Sequence, residues 1–566
     1  MRWASGRLIE WVGRLAPNVR RYGAIILIVL AAELLVDIVN PFGIQGAIKA
    51  KAVETLQLVT APFYNWGHET AGQKVVTVVL IDQAYFDAIH PDRRDAVWPM
   101  PVNLLTRGVI QRIVEAQPAA LFIDIGFPDA PREVVDGGVN SRSEALEKLG
   151  GNLNALPAGP RVFLGDSLSP SAQQREANKG CAADFVRAGD VRGSNIVAGP
   201  LLDQLFRDSS KARLELVDAS WSGDSVVYPL APAMTGEGNC RSLQRSGEGN
   251  IASPALALFK AYADRCQANP KRICFDKPFA RLRDAITVAD PAPSSDGFRT
   301  YKLDRKAQGD LALRWGVRLS GQMERTFKNR AGADACFEQF YASSAAPLIN
   351  YVTHLFGPLQ KQWGEPTHRR CVYIDTISAA DLLDRRRFAG GEGAPDPAAI
   401  EAAFLKDRVV LLGVDLPQAG DKFMSPINGA IPGVYLHAAA VENLITYGDG
   451  YHTAEIGPPW RVAMIALVAL LTFAMAWIWD WLCRVWSRFA PGWGPNLLAP
   501  LTYIAAMFAV GSVVILALSA TDLPLTEIVV PIVALHVILF SGLIENWKRA
   551  LRTVFAPEPV EEPETP

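Results

Sequence analysis

At 566 residues the chain is long enough for more than one domain, and 49% hydrophobic content with a mean hydropathy of +0.12 is high for a wholly soluble protein, so part of it is expected in lipid. The net charge is −2 and the basic residues form no stripe, which removes the field that would gather nucleic acid; no nucleic-acid partner is expected.

Residues 1–21 carry Arg2, Arg7, Arg14, Arg20 and Arg21 and are expected in the cytoplasm, ahead of a first membrane helix at 22–40. A helix needs roughly 20 residues to cross the apolar layer, and the run from Gly23 to Val39 with its neighbours suffices. Glu33 and Asp37 lie four apart near its outer end, within reach of water or a neighbouring helix, or else form an intramembrane functional pair. An uncleaved anchor is the expectation; a signal peptide cleaved near Ala50-Lys51-Ala52 is its rival.

Residues 41–458 are expected outside. The spacing of Ile44, Ile48, Val53, Leu56, Leu58 and Val59 predicts a helix leaving the membrane. Val75 to Asp82 reads as a buried strand, Pro101 to Gln117 as a helix and Ala119 to Ile125 as a second strand, a βαβ unit that would make the two strands parallel neighbours. Asp82 and Asp124 would then end adjacent strands at one sheet edge. There they could hold a divalent cation or meet a ligand, or simply cap the following loops through backbone N–H groups.

From about 130 to 345 the pattern turns irregular, and the stretch reads as core pieces separated by surface insertions. Arg161 to Gly165, Leu216 to Asp218, Val226 to Leu230 and a helix start at Ser253-Pro254 are its core pieces. Cys181, Cys240, Cys266, Cys274 and Cys336, with Cys371, are six cysteines in this outer block. They fit three disulfides, Cys266 to Cys274 being the nearest pair, or else buried thiols; Cys483 is expected to stay reduced. No pair has CxxC spacing, so neither a zinc site nor a thiol redox centre is expected, and no cofactor is implied.

The sheet is predicted to resume at Cys371 to Asp375, with Ser378 and Asp381 as a capping box for a helix running to Arg387, and Pro397 opening another helix. Val409 to Val414 is an apolar run ending in Asp415, followed by a Pro/Gly-punctuated loop with Asp421 and a long helix from about Val434 that bears His437. A strand without polar alternation belongs in a sheet covered on both faces, and ligands of such sheets bind at the carboxyl ends of the strands. Asp82, Asp124, Asp415 and Asp421 are therefore candidates for one sensing crevice, with His437 either a structural histidine or part of it.

Three further spans, 460–483, 497–520 and 525–545, are long enough to cross. Trp477, Trp479, Trp481 and Trp486 cluster at one end of the first; Arg484, Arg488, Lys548, Arg549 and Arg552 place both termini in the cytoplasm. His536 lies mid-span, as a functional group or as a neutral partner for a neighbouring helix. Residues 546–566 are acidic and Pro-rich and read as a disordered cytoplasmic tail.

Several of these residues form an ordered set. Gly413, Asp421, Ser425-Pro426, Pro432-Gly433-Val434, His437-Ala438 and Asn443-Leu444, preceded by Ile81-Asp82, Trp98-Pro99-Met100-Pro101, Phe122-Ile123-Asp124 and Ile377 to Leu383, resemble the type 2 CHASE domain, the cyclase/histidine-kinase-associated sensory extracellular module. The family often has Trp-Pro-Trp-Pro-Arg where this chain has Trp98-Pro99-Met100-Pro101-Val102. The resemblance implies an α/β extracytoplasmic sensor, its sheet mixed or mostly parallel with helices on both faces, on four transmembrane helices in a bacterial cytoplasmic membrane. It implies detection of an unidentified ligand or envelope signal without catalysis. Family members commonly continue into a cyclase, kinase or phosphatase domain; about 20 residues follow the last span here, so a separate partner protein is expected to supply the output. Two other readings are a metal-assisted hydrolase using Asp82, Asp124, Asp421 and His437, and a structural subunit of an envelope complex. The hydrolase lacks a G-x-S-x-G, H-E-x-x-H or P-loop signature.

Overall fold

The computed structural model describes residues 57, 61, 64–65, 68–89, 105–125, 133–135, 138–140, 159–166, 214–219, 226–230, 233–234, 250–268, 279–288, 300–303, 310–316, 318–323, 372–383, 397–416, 422–451, 478, 481–489, 498 and 502. The chain divides into Gln57–Glu455 and a second unit of Met1–Leu56 with Ile456–Pro566. The four predicted spans lie almost wholly outside the described residues, among which no helix is long and apolar enough to cross a membrane.

Six strands form the centre of Gln57–Glu455: β1 (Val76–Asp82), β2 (Ala120–Ile123), β3 (Arg161–Asp166), β4 (Leu214–Asp218), β5 (Asp375–Ser378) and β6 (Val409–Asp415). They pair in the order β5-β1-β6-β2-β3-β4, every pair parallel. A parallel sheet needs cover on both faces, which explains the unbroken apolar runs. Val76, Val78 and Leu80 of β1, Leu411 of β6, Phe122 of β2 and Phe163 of β3 belong to one core. Val79 and Ile81, Leu412, Leu121 and Ile123, and Leu164 belong to the other. That is the period-2 alternation of a strand with a greasy layer on each side.

Helices α1 (Gln83–Ile89), α2 (Gln111–Glu115) and α4 (Pro397–Phe404) supply Tyr85, Phe86, Ile113, Val114, Ile400 and Phe404 to the second core. The first is covered by α3 (Pro254–Ala268) and α5 (Val434–Tyr447), so the domain has three layers, helix, sheet and helix. Each buried Leu or Ile in such layers contributes about 1.5–3 kcal/mol. At the amino edge, Arg408 donates to Asp375 at 2.6 Å and Thr77 at 3.0 Å, fastening β1 and β5 to the start of β6.

Three expectations change. β1 and β2 are parallel but not neighbours, because β6 pairs with both and lies between them. β6, buried at every one of its 7 residues, lies where neither face nor edge meets water. The strand predicted over Cys371 to Asp375 instead begins at Asp375, and the capping box at Ser378 and Asp381 opens a short 3₁₀ turn, Ala379–Leu382. Residues 384–387, over which the helix was predicted to continue, lie outside the described residues. The stretch after β6, predicted as a loop, contains an antiparallel hairpin of Lys422–Ser425 and Gly429–Pro432. Its alternation, Phe423 and Ser425 inward with Lys422 and Met424 outward, is concealed by its prolines and glycines; Gly429 takes the positive φ of 73° that closes the turn.

Cys266 is buried on α3, and its disulfide runs to a residue outside the described ones, as Cys181, Cys240, Cys274, Cys336 and Cys371 all are. Cys483 is free.

Candidate functional site

Gly413 is where α5 meets the sheet. A Cβ there would fall 2.5 Å from Cγ1 and 2.6 Å from Cβ of Val434, so only glycine lets the first residue of α5 seat on β6. One turn along α5, His437 is buried against the carboxyl end of β2. Its ring meets Phe122 edge-on at 5.2 Å and Tyr228 edge-on at 5.7 Å between centroids, and Nε2 lies 4.0 Å from Oδ2 of Asp124. Asp124 follows Ala120 and Phe122 on the α5 side of the sheet, and its N–H continues the ladder to the Leu412 carbonyl at 2.8 Å.

Burial pushes the imidazole pKa down to about 3, so His437 is neutral and its approach to Asp124 is not an ion pair. The Tyr228 hydroxyl lies 2.7 Å from His437 Nδ1 and receives the Ala255 N–H at 3.4 Å, leaving its own proton for Nδ1. The remaining ring proton is thereby assigned to Nε2, toward Asp124. Burial also raises the Tyr228 phenol well above its ordinary value, and the neighbouring Asp124 and Asp218 carboxylates push in the same direction. Helix α5, the carboxyl end of β2 and the short strand bearing Tyr228 thus converge on a neutral imidazole.

Asp82 and Asp415 stand side by side in register at the ends of β1 and β6. Asp82 Oδ1 accepts the Tyr85 N–H at 3.0 Å and the Ser378 hydroxyl at 2.7 Å, so it caps α1 and ties β1 to β5. Burial raises its carboxyl, and the charge of Asp381 adds to that. Asp415 is buried, with Lys422 Nζ 3.9 Å from Oδ1. Asp82 thus stands beside Asp415, and His437 beside Asp124, on the neighbouring strands β1, β6 and β2; Asp421 lies outside the described residues. Among the described residues no group of three or more His, Cys, Asp and Glu is placed to hold a metal ion. Tyr228 and Phe122 were missed as site residues, since nothing in their spacing connects them to His437.

A family model described as the CHASE2 domain matches residues 25–478. The chain belongs to the CHASE2 domain family. CHASE2 domains are extracellular sensory domains. No curated protein and no solved structure matches it.

Proposed function

We propose that this CHASE2 protein is a membrane-anchored, non-catalytic sensor. The carboxyl edge of its sheet receives an unidentified ligand or envelope signal, and α5 passes the change toward the predicted spans at 460–545, where a separate partner protein reads it. Both termini lie in the cytoplasm and the domain lies outside. The observation that carries this reading is the burial of His437, four residues into α5, against Phe122, Asp124 and Tyr228. A ligand that binds better to one arrangement of these groups shifts α5 with them. Family membership supports the sensory role, and Tyr447, the last residue of α5, stands shortly before the span predicted to begin at 460.

Two measurements on the full chain test this. A single cysteine replacing Asp522 should react with an impermeant reagent in intact cells, and one replacing Thr565 should not; the reverse pattern defeats the topology. In a thermal-shift screen of small molecules and divalent cations, a compound that stabilises the wild type but not Asp124→Ala supports the site. Identical responses in both proteins remove it, and turnover of the compound would replace sensing with catalysis.

A further inference from the structure

A second buried polar cluster lies on α5, just over one turn beyond His437. Glu442 is fully buried, and among the described residues five side chains donate to its carboxylate: Thr70 and Thr446 to Oε1, the latter at 2.8 Å, and Tyr64 at 2.7 Å, Tyr373 at 2.8 Å and Asn443 at 3.0 Å to Oε2. None of the five is cationic. The donors come from three parts of the chain: Tyr64 and Thr70 precede β1, Tyr373 precedes β5, and Asn443 and Thr446 sit on α5 itself. The backbone closes on the same point. The Gly72 N–H donates to Thr446 Oγ1 at 2.9 Å, and a Cβ at Gly72 would fall 2.2 Å from the Glu442 carbonyl oxygen. Gln73 extends the contact by donating to the Tyr373 carbonyl at 2.8 Å.

A buried carboxylate held, among the described residues, only by neutral donors is a costly way to gain stability, since apolar residues of similar volume would serve at least as well. What the network does supply is a discrete geometry: its bonds share two oxygens and are made or lost together. We propose that Glu442 is the joint that locks the incoming segment, residues 64–73, to α5, so that the chain entering the domain after the first predicted span and the helix leading to the second move as one body. The proposal rests on the reading of α5 as the element that moves. Thr70, Gly72 and Tyr64 make the joint from the incoming side, and Tyr373 ties it to the edge strand.

Hydrogen exchange of the full chain in nanodiscs tests this with His437→Gln, Glu442→Gln and their double variant, and with Tyr64→Phe as a milder change that keeps the ring. His437→Gln should speed exchange in residues 434–447 by about tenfold, equivalent to about 1.4 kcal/mol, and in residues 64–73 alongside. In the Glu442→Gln background the same histidine change should no longer reach residues 64–73, and Tyr64→Phe should weaken the transmission. If His437→Gln speeds 434–447 and leaves 64–73 unchanged with Glu442 intact, the joint is overturned while the moving helix stands. If it alters neither segment, the proposed role of α5 is overturned first.

Discussion

The hydroxyl of Tyr228 is hydrogen-bonded to Nδ1 of His437 across 2.7 Å, joining residues 209 positions apart. Both are buried, so each depends on the other for satisfaction of a polar atom that water does not reach. Four consequences of this and neighbouring contacts can be measured.

Tyr228→Phe keeps the ring edge-on to His437 and removes only the hydroxyl. The expected loss is about 1–3 kcal/mol, the cost of a buried acceptor left without its donor. Chemical denaturation of the detergent-solubilised chain reads it directly, and an unchanged midpoint would show that the bond contributes nothing.

His437 gives the acid limb of stability a defined sign. Its folded pKa of about 3 lies below the ordinary 6.5, so the unfolded chain binds more protons between those values. Stability from this group is complete above about 6.5 and is lost as pH falls toward 3, by about 1.4 kcal/mol per unit well inside that window. Glu442 and Asp375 have carboxyls raised chiefly by burial, so their contribution has the opposite sign, present in acid and lost as pH rises. The difference between wild type and His437→Gln isolates the histidine. The variant should lose less stability between pH 7 and 4.5, and parallel pH profiles would refute the assignment.

Gly413→Ala should destabilise by about 1–3 kcal/mol, because the new methyl collides with Val434 and must push α5 off β6. Gly450→Ala is the control, since a Cβ there meets nothing within 4 Å. Equal melting temperatures for the two variants would mean that α5 does not seat on β6 as closely as 2.5 Å requires.

Cys266 is expected to pair with Cys274, closing a short loop after α3 that constrains the unfolded chain by about 2–3 kcal/mol. Peptide mapping without reduction decides the pairing. A linkage from Cys266 to Cys181, Cys240, Cys336 or Cys371 would reassign it, and reduction should lower the melting temperature whichever partner is found.

Much of the fold was legible because its signals are local. Val76–Asp82, Ala120–Ile123 and Val409–Asp415 announce themselves as apolar runs, since a strand buried on both faces needs no polar residues. Ser378 and Asp381 were readable as a capping box, because the cap uses atoms only three residues apart. The hairpin at Lys422–Pro432 was not readable, since its prolines and glycines resemble those of a loop and only the pairing of Phe423 with Ile431 exposes the strands.

By itself the sequence determined that an α/β domain with apolar strands ending in Asp82, Asp124 and Asp415 precedes a helix bearing His437. Composition and periodicity fix such things through contacts between near neighbours. Only the tertiary structure decided that β6 separates β1 from β2, that Asp82 is a cap, that His437 meets Asp124 and Tyr228, and that Glu442 gathers Tyr64, Thr70 and Tyr373. These arrangements join positions up to 378 residues apart, and strand order is a choice among global packings of the same apolar runs that no local spacing distinguishes.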